Sequence, residues 1–144
     1  MKIAIIGAGA IGGLVGAKLA LAGEDVTFIV RGRNLQAIRD NGIKLVTHDG
    51  REHVTREVHA TDDYSIAGPQ DVVILAMKAH QVEAVLPSLP HLLGPDTVIV
   101  PMQNGIPYWY FQKHGGPHEG HSVTTADPNG RIAASIDPNR VLGC

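Results

Sequence analysis

The chain has 144 residues, enough for one domain with a substantial core, and is 44% apolar with a formal net charge of −2. Its 12 basic residues are slightly outnumbered by 14 acidic ones and are spread along the sequence, which argues against a nucleic-acid surface. The single cysteine, Cys144, excludes an intramolecular disulfide, and neither a leader pattern nor an uninterrupted apolar span of membrane length is seen, so a cytoplasmic protein is expected.

In chain order, Lys2–Ile6 reads as a short buried strand that breaks into the turn GAGAIGG. Residues 11–22, rich in Ala and Leu, follow helical spacing through Leu14, Ala17, Lys18 and Leu21, and Gly23 closes the helix. DVTFIV is a β-branched strand ending at Arg31, which completes a βαβ unit of the size a parallel crossover needs. NLQAIRDNG predicts a brief helix stopped by Gly42. IKLVTH and the region HVTREVHAT then predict strands around the Asp49-Gly50 hairpin signal. DVVILA is strand-like, and a helix is expected over His80–Leu93, bent or interrupted by Pro87 and Pro90. TVIVPM is another buried strand ending at QNG, and GIPYWYFQKHG predicts a short aromatic helix. The segment HGGPHEGHSVTTADPNG is turn-rich, and RIAASI and RVLGC could supply further strands. An apolar stretch begins rather than ends at RVLGC, which points to a fragment. The sum is an α/β domain over residues 1–144, a Rossmann-type, mostly parallel sheet with helices on both faces.

Gly7, Gly9 and Gly12 stand where a strand hands over to a helix. Gly7 permits the tight turn, Gly9 lets a pyrophosphate approach the backbone, and Gly12 lets helix and strand pack closely. The intervening Ala8, Ala10 and Ile11 belong to the same cradle, whose first helical turn offers free N–H groups and the positive end of a dipole. No G-K-[ST] follows the glycines, so a triphosphatase loop is disfavoured. The end of the second strand selects the cofactor. NAD sites carry an acid there to bind the ribose 2′-hydroxyl, whereas this chain carries Arg31, able to clasp a 2′-phosphate, and NADPH is expected. Arg33 is either a second such contact or a solvated loop residue.

Lys78 and Asn104 each follow a buried strand and so belong to the same rim as the glycine turn. Lys78 could approach a cofactor phosphate or ribose or attract an anionic substrate, and Asn104 could hold the nicotinamide ribose and substrate. A first solvated residue and an ordinary Asn-Gly turn are the plainer alternatives.

GAGAIGG, the VRG after the second strand, LAMKAHQ and VPMQNGIP together resemble the N-terminal half of the ketopantoate reductase (2-dehydropantoate 2-reductase) family, over nearly the whole chain. The resemblance implies that Gly7, Gly9 and Gly12 carry NADPH, that Arg31 recognises its 2′-phosphate, and that Lys78 and Asn104 lie near nicotinamide and substrate. It implies NADPH-dependent reduction of the ketone of 2-dehydropantoate to pantoate, in pantothenate and coenzyme A synthesis. It further implies that a helical domain beyond residue 144 supplies a general-acid Lys and a substrate-binding Glu, so this chain alone would turn over poorly or not at all. The partners expected are a small anionic 2-keto acid and that downstream domain, with a homodimer left open, and no nucleic acid or membrane. Two other readings stay open: a dinucleotide-sensing regulatory module, and a reductase of another branched 2-keto acid.

Of eight histidines, His114, His118 and His121 cluster in HGGPHEGH, but their spacing matches no standard zinc signature, and they read as surface loop residues with no metal expected. Cys144 has no identifiable base or redox partner. Of the aromatic residues 108–111, at least two are expected to pack in the core.

Overall fold

The computed structural model describes residues 1–143. Five strands form one parallel sheet: β1 (Lys2–Ile6), β2 (Asp25–Ile29), β5 (His59–Thr61), β6 (Gln70–Leu75) and β7 (Leu93–Pro101), in the spatial order β5-β2-β1-β6-β7. Between β2 and β5 the chain makes an excursion, the antiparallel hairpin β3 (Ile43–Val46) and β4 (Glu52–Thr55). Thus HVTREVHAT divides, its first half pairing locally and its second half, as β5, pairing with β2. Asp49 and Gly50 turn the hairpin as expected, with the Gly50 N–H donating to Thr47 O at 2.9 Å.

The two faces of the sheet are packed separately. On one face Ile3, Ile5, Val26, Phe28 and Ile74 are buried beneath α1 (Ala10–Leu21) and Ile38 of α2 (Arg33–Asn41). On the other, Ala4, Ile6, Ile29, Val73, Leu75 and Ile99 are covered by residues 82–92, Tyr108, Ile132 and Ile136. Strand residues therefore alternate between two cores, as a sheet sandwiched on both sides requires.

Helix α1 buries its small residues, Gly12, Gly16, Ala17 and Ala20, and exposes Ile11, Leu14, Lys18 and Leu21. Of the positions that set the expected helical spacing, only Ala17 faces the sheet. The cause is proximity: a Cβ on Gly16 would clash with the Phe28 ring and lie 2.7 Å from Ile5 Cδ1. A helix this close to the sheet has no room for large side chains on its inner face.

Four other expectations are corrected. His80–Leu93 is not a helix but three short 3-10 turns, Ala79–Gln81, Glu83–Val85 and Leu89–Leu92. Pro87 and Pro90 lack the N–H groups a continuous helix would use, yet Val82, Leu86, Leu89 and Leu92 are all buried against the sheet. RIAASI is not a strand but mostly the helix α4 (Arg131–Ser135). The buried Asp127 carboxylate accepts the N–H groups of Ile132 and Ala133 at 3.1 and 2.9 Å, and Ile132 and Ile136, one turn apart, share the core. GIPYWYFQKHG forms turns, closed by bonds from Tyr110 N to Pro107 O and Gln112 N to Trp109 O, rather than a helix. The strand expected at RVLGC is reduced to a single parallel bridge, Val141 to Ile99, and Cys144 lies outside the described residues. One helix went unread in the sequence, α3 (Tyr64–Ala67), where the Asp63 carboxylate caps the Ser65 N–H at 2.8 Å.

Candidate functional site

With the hairpin set aside, the strands run 3-2-1-4-5 in order of appearance, and the direction of winding reverses between β1 and β6. In such sheets the ligand crevice opens outside the carboxyl ends of the strands at that reversal. The register shows what stands there. Ile6 is level with Ile29 and Leu75, and Leu75 with Pro101. Backbone bonds continue the ladder by one step: Gly7 N to Ile29 O (3.1 Å), Ala76 N to Ile6 O (3.0 Å), Met102 N to Leu75 O (3.0 Å) and Val30 N to Thr61 O (3.0 Å). Gly7, Arg31, Ala76–Lys78 and Met102–Asn104 consequently share one rim.

The glycines at this rim differ in what surrounds them. Gly7 has φ +100°, a conformation L side chains rarely adopt, and a Cβ there would press to 3.1 Å from Ala76 O. A Cβ on Gly12 would clash with Gly7 O and sit 2.9 Å from Ala76 Cβ, so this glycine joins helix to strands. A Cβ on Gly9 would meet nothing within 4 Å, and Gly9, Ala10 and Ile11 are exposed. Gly9 is the N-cap of α1 with no side-chain hydrogen bond to the first turn, whose N–H groups have no capping side chain as acceptor. Ala8 lies half-buried between them. This is a backbone cradle of the shape and polarity a pyrophosphate fits.

Arg31 is exposed at the end of β2, followed by Gly32. It forms no salt bridge among the described residues. Arg33 is the first residue of α2 rather than a loop residue. Burial pushes the Tyr64 hydroxyl of α3 above its ordinary pKa, while the positive charge of Arg31 acts in the opposite sense.

Lys78 and Asn104 are both exposed. The Lys78 backbone N–H donates to Gln81 Oε1 at 3.0 Å, and Gln81 N–H returns to Lys78 O at 2.9 Å, which fixes the turn from which the ammonium projects. Gln103 carries a role that went unread in the sequence: its Nε2 donates to Leu75 O at 2.8 Å, tying the QNG turn to the end of β6. Its place beside Asn104 was the available signal. Asn104 opens a mainly apolar cleft, walled by Val82, Gln103, Tyr108, Trp109 and Ile132. Tyr108 is buried, its hydroxyl donating to Ile136 O at 3.2 Å, and Trp109 meets it edge-on at 5.1 Å. These two aromatics pack in the core as expected, whereas Tyr110 is 51% exposed. Among the described residues no helix is long and apolar enough to cross a membrane, and no three metal-ligating side chains gather as a metal site.

A parallel sheet of this order, with a glycine cradle at its point of reversal, defines a Rossmann-type domain. The chain belongs to the ketopantoate reductase family, a family of oxidoreductases: the PanE/ApbA ketopantoate reductase profile matches residues 3–108. The chain is 47% identical to the 2-dehydropantoate 2-reductase of Mesorhizobium japonicum, over 99% of this chain and 44% of that protein. It is 42% identical to that of Pyrococcus horikoshii, over 74% of this chain and 34% of that protein. A crystal structure assigned as a ketopantoate reductase, from Ralstonia solanacearum MolK2, superposes with a TM-score of 0.91 at 46% identity, over 99% of this chain and 44% of that one. A ternary structure of D-mandelate dehydrogenase with NADH and anilino(oxo)acetate superposes with a TM-score of 0.74 at 26% identity, over 99% of this chain and 40% of that one. The chain thus spans less than half the length of these relatives.

Proposed function

We propose that residues 1–144 are the NADP-binding domain of a cytoplasmic reductase that uses NADPH to reduce the ketone of 2-dehydropantoate to pantoate. The observation that carries this reading is the joint presence, on one rim, of an open glycine cradle and an arginine where NAD sites place an acid. In this reading Gly7, Ala8, Gly9, Ala10, Ile11 and Gly12 hold the pyrophosphate, and Arg31 takes the 2′-phosphate as a charge-assisted, paired contact. When bound, NADPH supplies the hydride. Lys78 provides positive charge toward the cofactor and an anionic substrate, and the Asn104 amide orients the nicotinamide ribose and substrate at the mouth of the cleft.

Hydride transfer to a ketone leaves charge on the carbonyl oxygen, and a proton donor must be aimed at it. No residue of this rim is assigned that task. A general-acid Lys and a substrate-binding Glu are ascribed to a downstream domain, consistent with the share of the relatives that this chain leaves uncovered. A second reading, reduction of another 2-keto acid, has the likeness to D-mandelate dehydrogenase in its favour.

Titrating NADPH and NADH separately into the 144-residue chain by calorimetry, alongside Arg31→Ala, tests the proposal. The expected result is a preference for NADPH of about tenfold or more, equivalent to about 1.4 kcal/mol, that Arg31→Ala abolishes. Equal affinity for the two, or a preference that survives the substitution, would count against an NADP site built on Arg31.

A further inference from the structure

We propose that His118 and His121 form a two-histidine chelate for a borderline divalent cation of the Zn2+ class, apart from the dinucleotide rim. Sequence spacing argued only for surface histidines, because no standard zinc pattern is present. The structure adds what spacing could not show: the two Nδ1 atoms lie 3.3 Å apart. Two imidazole nitrogens each about 2.0–2.1 Å from a tetrahedral Zn2+ lie roughly 3.3–3.4 Å from one another. The pair is therefore already spaced for a shared ion. Without metal, one ring donates its Nδ1 proton to the other. With both rings as the Nε2–H tautomer, both Nδ1 lone pairs are free to ligate.

Three features hold this spacing. His118 and His121 are the first and last residues of a closed turn, His121 N donating to His118 O at 3.1 Å, and such turns bring their end residues together. Gly120, at the third position, has φ +75°, which a type II turn demands there and other residues resist. The turn is also fastened to its surroundings. Gly120 N donates to Phe111 O at 2.9 Å, and the Phe111 ring lies 5.8 and 6.2 Å from the centroids of His118 and His121. The Glu119 carboxylate accepts the N–H groups of Lys113 and Gly115 at 2.7 and 2.5 Å, closing the loop. Ordering the ligands beforehand lowers the entropy cost of binding. Two protein ligands leave the remaining positions of the ion to water or an outside ligand. Among divalent ions Cu2+ is expected to bind more tightly than Zn2+.

The test is a calorimetric titration of ZnCl2 alone into the chelator-stripped 144-residue chain in a non-coordinating buffer, with circular dichroism confirming that each variant is folded. One equivalent of Zn2+ is expected, with affinity falling about tenfold or more in His118→Ala and in His121→Ala. Gly120→Ala, which keeps both imidazoles but strains the turn, is expected to weaken binding as well, and His114→Ala to leave it unchanged. Absence of binding, a stoichiometry other than one, affinities in the two pair variants equal to the wild type, or an equal loss in His114→Ala would overturn the proposal.

Discussion

Gly9, the N-cap of α1, and Gly12, three residues later, separate binding from folding. A Cβ on Gly9 enters open space at an extended backbone conformation, so Gly9→Ala should keep the fold within about 1 kcal/mol, the scale of an N-cap exchange. If the proposed site is right, it should nevertheless weaken dinucleotide binding by about tenfold or more, because the methyl group would stand where that reading puts the pyrophosphate. A Cβ on Gly12 meets Gly7 O and Ala76 Cβ, so Gly12→Ala should lose about 1–3 kcal/mol of stability by forcing α1 off the strands. Urea denaturation of both variants beside an NADPH titration checks the contrast. The place of these glycines could be read in the sequence because they stand at a fixed offset from a strand, and the close packing at Gly12 acts through the backbone. The role of Gln103 could not, since its contact with Leu75 O joins segments that only the folded sheet brings together.

At the scale of elements, the strands were legible and the coverings of the second face were not. Four of the five parallel strands, β1, β2, β6 and β7, carry short apolar runs, a signal held in consecutive residues, whereas β5 is His-Ala-Thr and takes its place only by pairing with β2. By contrast α4 has five residues, too few to show a period, and owes its form to Asp127, which caps it from outside the helix. Asp127→Ala should therefore cost about 2 kcal/mol, through two lost charge-assisted bonds to helix N–H groups, read as a lower urea midpoint at unchanged slope. The same face depends on Tyr108, whose hydroxyl joins the QNG-proximal turn to the end of α4 at Ile136 O. Tyr108→Phe leaves that carbonyl without its donor and should cost about 1 kcal/mol. The residues expected to form a helix at 80–93 show the reverse lesson. Their buried positions follow a near-helical spacing, but two prolines break the hydrogen-bond ladder, so the apolar pattern persists as separate turns.

For the whole molecule, the titrating groups define a window of stability. Asp49, Asp63, Glu119 and Asp137 are held below their ordinary range, chiefly by bonds from the Thr47 hydroxyl, from Ser65, from the Gly115 N–H and from the Asn139 N–H respectively. A lowered carboxylate contributes stability above its unfolded value, about 4, and the contribution is lost as pH falls through the folded value. On the alkaline side, Glu24 raises the Met1 amine, and burial raises Tyr64 and Tyr108. Their contributions are complete below their unfolded values, about 8 and 10, and are lost as pH rises from there toward the folded values. Urea midpoints should accordingly form a plateau between about pH 5 and 8 and decline on both sides. The central claim, that the carboxyl-end rim receives the dinucleotide, is met most directly by mapping backbone amide shifts of the 144-residue chain by nuclear magnetic resonance as NADPH is added. The account predicts that the largest shifts fall on residues 7–13, 31–33, 76–78 and 102–105. Shifts concentrated instead on the polar groove formed by Lys2, Asp25, His59 and Gln70, with the glycine cradle unmoved, would contradict it.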